Sequence, residues 1–198
     1  NGDPGIDIYS LFSLPPRSLP TLEAVLRYSG WKDVQSINPL FHGINGKLSQ
    51  ENFRRILSSD SLLVSAITRT APQSQSLIKL YKQNHPGGLV IAGGPDPTFR
   101  PNSWIDVGTD IIVMGEGEET LRELTDKLTS QDYRNLDGIN GIAYRSNGEL
   151  KVTHPRRLLT GDELGQLPQP YYDQKTRAGL NVGVTETTRG CPHDCDSC

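Results

Sequence analysis

Three cysteines, Cys191, Cys195 and Cys198, lie within the last eight residues of a 198-residue chain that has no other cysteine. An odd number packed this tightly makes a poor disulfide framework and a good metal-ligand loop. The C-x3-C-x2-C spacing offers soft thiolates, which suit an iron–sulfur cluster or zinc. Three thiolates from one short loop hold three irons of a cubane and leave the fourth iron open to a substrate or cofactor. A cluster that only transfers electrons generally takes four. Two other readings stand beside this one. Zinc could be completed by His193, although closed zinc sites usually draw on two separated ligand pairs, or the thiols could be free.

A second constellation is Gly115-Glu116-Gly117-Glu118-Glu119, which follows the apolar run Asp110–Met114. Taken alone, its glycines make a turn and its acids suit the start of a helix. Its position adds more. Gly93-Gly94 follows the run Leu89–Ala92, and Ser65-Ala66-Ile67-Thr68 closes the run 61–67. If these runs are parallel strands, all three turns fall on the carboxyl edge, where open α/β sheets bind ligands. Ser65, Thr68, Gly93, Gly94, Gly115, Glu116, Gly117 and Glu118 are therefore the candidate ligand-binding residues. Elsewhere, His42 and His85 read as surface loop residues, and His154 as the end of a hairpin. Trp31 and Trp104 read as packing, and Asp60 and Asp110 as turn or cap residues. No Ser-His-Asp order and no Walker-type phosphate loop is present.

The elements that must position these groups alternate. Strands are expected at 6–12, 32–38, 61–67, 89–92 and 110–114, with helices at 20–29, 49–57, 72–84, 102–107 and 117–128. Gly30 stands where a helix C′ residue belongs, and Pro72 opens its helix at an N1-like place. Five such units predict an α/β fold: a doubly wound, five-stranded parallel sheet, flavodoxin-like or Rossmann-like. After about residue 134 the texture changes. Asn147-Gly148 between two β-prone runs signals a hairpin, residues 155–180 read as an extended linker, and 181–187 as a strand leading into the cysteines. The expected division is 1–134, 135–180 and 181–198.

Composition bounds the function class. Net charge is −3 and 34% of residues are hydrophobic, enough for a packed core. No basic stripe is present to neutralise a phosphate backbone, so there is no nucleic-acid signal. No apolar run reaches the roughly 18 residues a membrane span needs, and no basic region precedes an N-terminal apolar segment. A cytoplasmic protein is the expectation. The absence of an initiator Met and the final cysteine are read as the ends of a fragment.

The order of features resembles the cobalamin-binding radical S-adenosylmethionine enzymes, which carry an N-terminal B12-binding domain, a linker and a barrel opening with the cysteine motif. The matching segments are Leu14-Pro15-Pro16, Ser65–Thr68, Ala92–Pro95, Asp110–Glu118, Gly138–Arg145, Leu167–Pro170 and Thr188–Pro192. Together they cover nearly the whole chain. The resemblance implies that Cys191, Cys195 and Cys198 ligate a [4Fe-4S] cluster whose open iron chelates S-adenosylmethionine. Reductive cleavage would give a 5′-deoxyadenosyl radical. Cobalamin would lie over the carboxyl edge of the sheet and carry a methyl group in many relatives, and a flavodoxin or ferredoxin would supply electrons. The cofactors would carry the hard chemistry. Two details depart from the family pattern: Ser197 stands where an aromatic residue is common, and no Asp-x-His-x-x-Gly marks a lower axial ligand to cobalt. Without a barrel after Cys198, this fragment is expected to be inert by itself. The substrate is not legible here.

Overall fold

The computed structural model of the chain describes residues 5–10, 17–39, 43–44, 47–130, 136–179, 189 and 193, with backbone only at 43–44, 126, 128–130 and 175. In chain order the elements are β1 (Ile6–Tyr9), α1 (Ser18–Tyr28), β2 (Val34–Ile37), β3 (Gly43–Ile44), β4 (Lys47–Leu48), α2 (Gln50–Ser58) and β5 (Ser61–Ser65). Then come α3 (Ala71–Asn84), β6 (Leu89–Gly93), α4 (Pro95–Phe99), α5 (Pro101–Ile105), β7 (Ile111–Val113), α6 (Glu118–Ser130), β8 (Ile142–Ser146), β9 (Glu149–Val152), α7 (Gly161–Gln166) and α8 (Gln174–Gly179). The expected strand at 181–187, residues 11–12 of the first run, and His42 lie outside the described residues.

Among the described residues, seven strands form one sheet in the order β2-β1-β5-β6-β7-β8-β9. The first five pair in parallel. Numbered among themselves they run 2-1-3-4-5, the flavodoxin-like order, which reverses direction between β1 and β5. Period-2 alternation divides the core. Ile6, Ile8, Leu63, Ile91, Ile111 and Val113 pack with Leu19 and Leu26 of α1 and Leu121 and Leu124 of α6. On the other face, Leu62, Val64, Val90 and Ile112 pack with Ile56 of α2, Ile78 and Tyr81 of α3, and Trp104 of α5. Both faces are covered, as an interior parallel sheet requires.

Local chemistry sets the ends of the elements. At the end of α1, Gly30 N–H donates to Arg27 O and Trp31 N–H to Leu26 O, with Gly30 at φ +98°. This is a Schellman motif, and its Leu26 and Trp31 side chains share the core. Ser49 caps α2, accepting from Asn52 N–H at 3.1 Å. Asn147 and Gly148 both take positive φ, +52° and +86°, as a two-residue hairpin turn demands.

Two features depart from expectation. The hairpin does not stand apart from the sheet: β8 pairs antiparallel with β7, so it extends the same sheet. The extended linker expected over 155–180 is not extended throughout its described residues, 155–179. They contain α7 and α8 and are tied back at three places. Arg156 Nη2 lies 2.5 Å from Glu123 of α6, Leu159 N–H donates to Glu116, and Tyr171 N–H donates to Pro20 O while its ring stacks 4.4 Å from the Arg27 guanidinium. Among the described residues, no helix is long and apolar enough to cross a membrane.

Candidate functional site

Three of the strand rows facing α1 and α6 end in a residue with little or no side chain. Leu63 is followed two positions later by Ser65, Ile91 by Gly93 and Val113 by Gly115, and successive members of a row share a face. Where large side chains give way to small ones, the helices no longer meet the sheet. The result is a cavity of about 320 Å³ between the ends of β1, β5, β6 and β7 and the first turns of α1 and α6. It lies at the reversal between β1 and β5, the place where open α/β sheets receive ligands. Its size is at the lower end for ligand pockets.

Ser65, Gly93, Gly94, Gly115, Glu116, Gly117 and Glu118 all line this cavity. Thr68 does not. It is exposed beyond β5, and its hydroxyl hydrogen-bonds the Asp96 carboxylate. The glycines do different work. Gly115, at φ +75°, faces open space: a Cβ built there meets nothing within 4 Å. Gly94, at φ +96°, is required by its neighbour, since a Cβ would stand 2.7 Å from Ala66 O. That close approach is stitched by Ala66 N–H to Gly93 O at 3.0 Å.

The walls are Ile8, Leu22, Leu63, Ile91, Val113 and Leu121, with Ser18, Thr21 and Arg17 at the start of α1. The sequence placed several of these in strands and helix faces but named none as a site residue. The apolar rows carried a legible signal for the strand members, because their positions follow from the alternation. Arg189 also lines the cavity; the sequence marked it only as part of the Thr188–Pro192 segment. Its Nη2 is 2.6 Å from Glu118 Oε1 and its Nη1 is 3.5 Å from Glu116 Oε1. Glu116 Oε2 accepts from Leu159 N–H at 2.7 Å. Glu118 and Glu119 also sit in the first turn of α6, where carboxylates favour the helix dipole.

Beside the cavity, Asp96 is buried and accepts from Trp104 Nε1 at 2.8 Å and from Arg100. Burial pushes its carboxyl up. The hydrogen bonds from Trp104, Arg100 and Thr68, with the Arg100 charge, outweigh that and hold it below the usual aspartate value. Trp104 is packing, as expected, with a polar tether besides. At the opposite end of the sheet, burial raises the Asp7 carboxyl despite its bonds to Ser59 and Arg55.

The described lining contains no His, Cys or Lys, so the cavity offers shape, hydrogen bonds and charge. Small residues on three strand ends make a cradle that admits the edge of a bulky, partly apolar ligand such as cobalamin. No described lining residue brings an imidazole to its cobalt. Cys191, Cys195 and Cys198 lie outside the described residues, and among the described ones no cluster of His, Cys, Asp and Glu could hold a metal ion. His193 is exposed.

The family model for the B12 binding domain matches residues 6–125. The chain is 31% identical over 194 residues, 93% of its length, to an uncharacterized methyltransferase of Pyrococcus horikoshii, and covers 40% of that protein. It is 29% identical over 160 residues to the cobalamin-dependent radical SAM methyltransferase TokK of Streptomyces tokunonensis, covering 75% of this chain and 23% of that one. It therefore spans well under half the length of these relatives. Its backbone also matches that of TsrM from Kitasatospora setae, a radical S-adenosylmethionine methyltransferase solved with cobalamin and a [4Fe-4S] cluster bound. There the TM-score is 0.61 at 17% identity, over 84% of this chain and 30% of that one.

Proposed function

The chain belongs to the B12-binding domain family, and from that premise we propose that its strand-edge cavity holds cobalamin for a radical S-adenosylmethionine methyltransferase of which this chain is a part. The observation that carries the reading is the cavity at the β1/β5 reversal, opened by Ser65, Gly93 and Gly115 at the ends of three adjacent strand rows. Ser65 would hydrogen-bond the ligand's polar periphery. Gly93, Gly94, Gly115 and Gly117 would let it approach the backbone, and Ile8, Leu63, Val113 and Leu121 would keep water from its apolar face. Bound there, cobalamin would supply a carrier for a methyl group.

The same reading gives Cys191, Cys195 and Cys198 to a [4Fe-4S] cluster that binds and cleaves S-adenosylmethionine. A flavodoxin or ferredoxin would deliver the electron. The likeness to relatives that carry this chemistry in their names supports it.

Two experiments test the two halves. Ser65→Phe places a ring in the cavity, and hydroxocobalamin titration followed by absorbance is expected to show binding weakened at least about tenfold. Equal affinity in both proteins would contradict the cavity assignment. For the cysteines, the full-length protein is reconstituted anaerobically with iron and sulfide. Iron is expected to bind and to be lost when all three are changed to alanine. One equivalent of zinc without iron would overturn the cluster.

A further inference from the structure

The two acids of the Gly115–Glu118 turn face an arginine from a distant segment. Glu118, with a side chain 8% exposed, meets Arg189 Nη2 at 2.6 Å. Glu116 divides its oxygens: one stands 3.5 Å from Arg189 Nη1, and the other accepts from Leu159 N–H at 2.7 Å. The turn after β7 thus gathers a backbone group 43 residues away and a guanidinium 71 residues away from it. A planar guanidinium between two carboxylates is fixed in direction as well as in place, which a lysine ammonium would not be. Arg189 is itself only 19% exposed and forms part of the cavity wall.

Arg189 precedes Cys191 by two residues. Two trans peptide units span at most about 7.6 Å between Cα atoms. Whatever fixes Arg189 therefore limits where the first cysteine can stand relative to the cavity. We propose that Glu116 and Glu118 are positioning residues: they clasp Arg189 and so anchor, at the cavity wall, the point from which the chain runs on to the cysteines. The turn then does for the junction what the glycines do for the ligand. This assignment rests on the reading that the cavity takes cobalamin and the cysteines take the cluster.

The clasp can be tested without either cofactor. Trypsin cuts after arginine, and a clasped Arg189 is a poor substrate until it opens. In the cofactor-free full chain, with products followed by mass spectrometry, Glu116→Gln/Glu118→Gln is expected to speed cleavage of the Arg189–Gly190 bond about tenfold, because proteolysis tracks the open population. The reference is the Lys82–Gln83 bond inside α3, which opens only with the fold. An unfolding variant speeds both bonds, so the ratio isolates the clasp, and Glu118→Gln alone provides a milder second variant. An unchanged ratio in both variants overturns the proposal.

In the loaded full-length enzyme, pulsed EPR reads the distance between cob(II)alamin and the reduced cluster. The distribution is expected to be narrow in the wild type, broad in Glu118→Gln, and narrow again in the charge swap Glu118→Arg/Arg189→Glu. Equal widths in all three would refute positioning. If cobalamin or iron fails to bind at all, the functional reading falls while the trypsin ratio still judges the clasp.

Discussion

At the scale of single residues, the glycines of this edge serve two masters, and substitution separates them. Gly94 combines a left-handed backbone with a neighbouring carbonyl that leaves no room for a Cβ. Gly94→Ala is expected to cost on the order of 2–3 kcal/mol of stability, read as a lowered urea midpoint at unchanged slope. Gly115→Ala meets no atom and is expected to cost only about 1 kcal/mol for its positive φ. Asp96 gives a pH-dependent counterpart. Its folded-state carboxyl is held below the ordinary value, so the unfolded chain binds the proton more readily. The stability it contributes is present above about pH 4 and is lost as pH falls through its folded-state value. Denaturant midpoints of wild type and Asp96→Asn are therefore expected to differ at neutral pH and to converge in acid. A gap that stays constant with pH would contradict this account of the Asp96–Trp104–Arg100 cluster.

At the scale of elements, the parts governed by nearby sequence were legible. The Gly30 signal ends α1 as a Schellman motif, and Asn147-Gly148 makes its turn. What sequence could not give was the docking of elements on one another. An Asn-Gly hairpin reads the same whether it stands free or pairs with β7, because the pairing of Val113 with Ile142 leaves no local trace. The Pro-, Gly- and Gln-rich composition of 155–180 suggested an extended linker for the same reason. Its ties are long-range: Arg156 reaches Thr120 at 3.0 Å and Glu123 at 2.5 Å, across more than thirty residues. Arg156→Ala is expected to loosen this strap without unfolding the sheet. Hydrogen exchange would then rise across 155–166 and stay unchanged in β5 and β6. Uniform exchange across both regions would mean the strap and the sheet open together.

At the scale of the whole molecule, strand order and site are one fact. The 2-1-3-4-5 order creates the reversal between β1 and β5, and the shortening of side chains along three rows hollows the sheet at that point. The sequence already pointed to Ser65, Gly93 and Gly115 because they end apolar runs. It misplaced Thr68, since a turn's residues can leave the edge as easily as line it, and it marked Arg189 only as part of the Thr188–Pro192 segment. The central claim is that cobalamin lies on this edge. The most direct measurement is the amide NMR spectrum of the chain titrated with hydroxocobalamin. The predicted result is that Ser65, Gly93, Gly94, Gly115 and Gly117 shift in proportion to occupancy, while Gly5 and Gly88 at the opposite edge stay in place. Shifts confined to the opposite edge, or none at saturating ligand, would contradict the account.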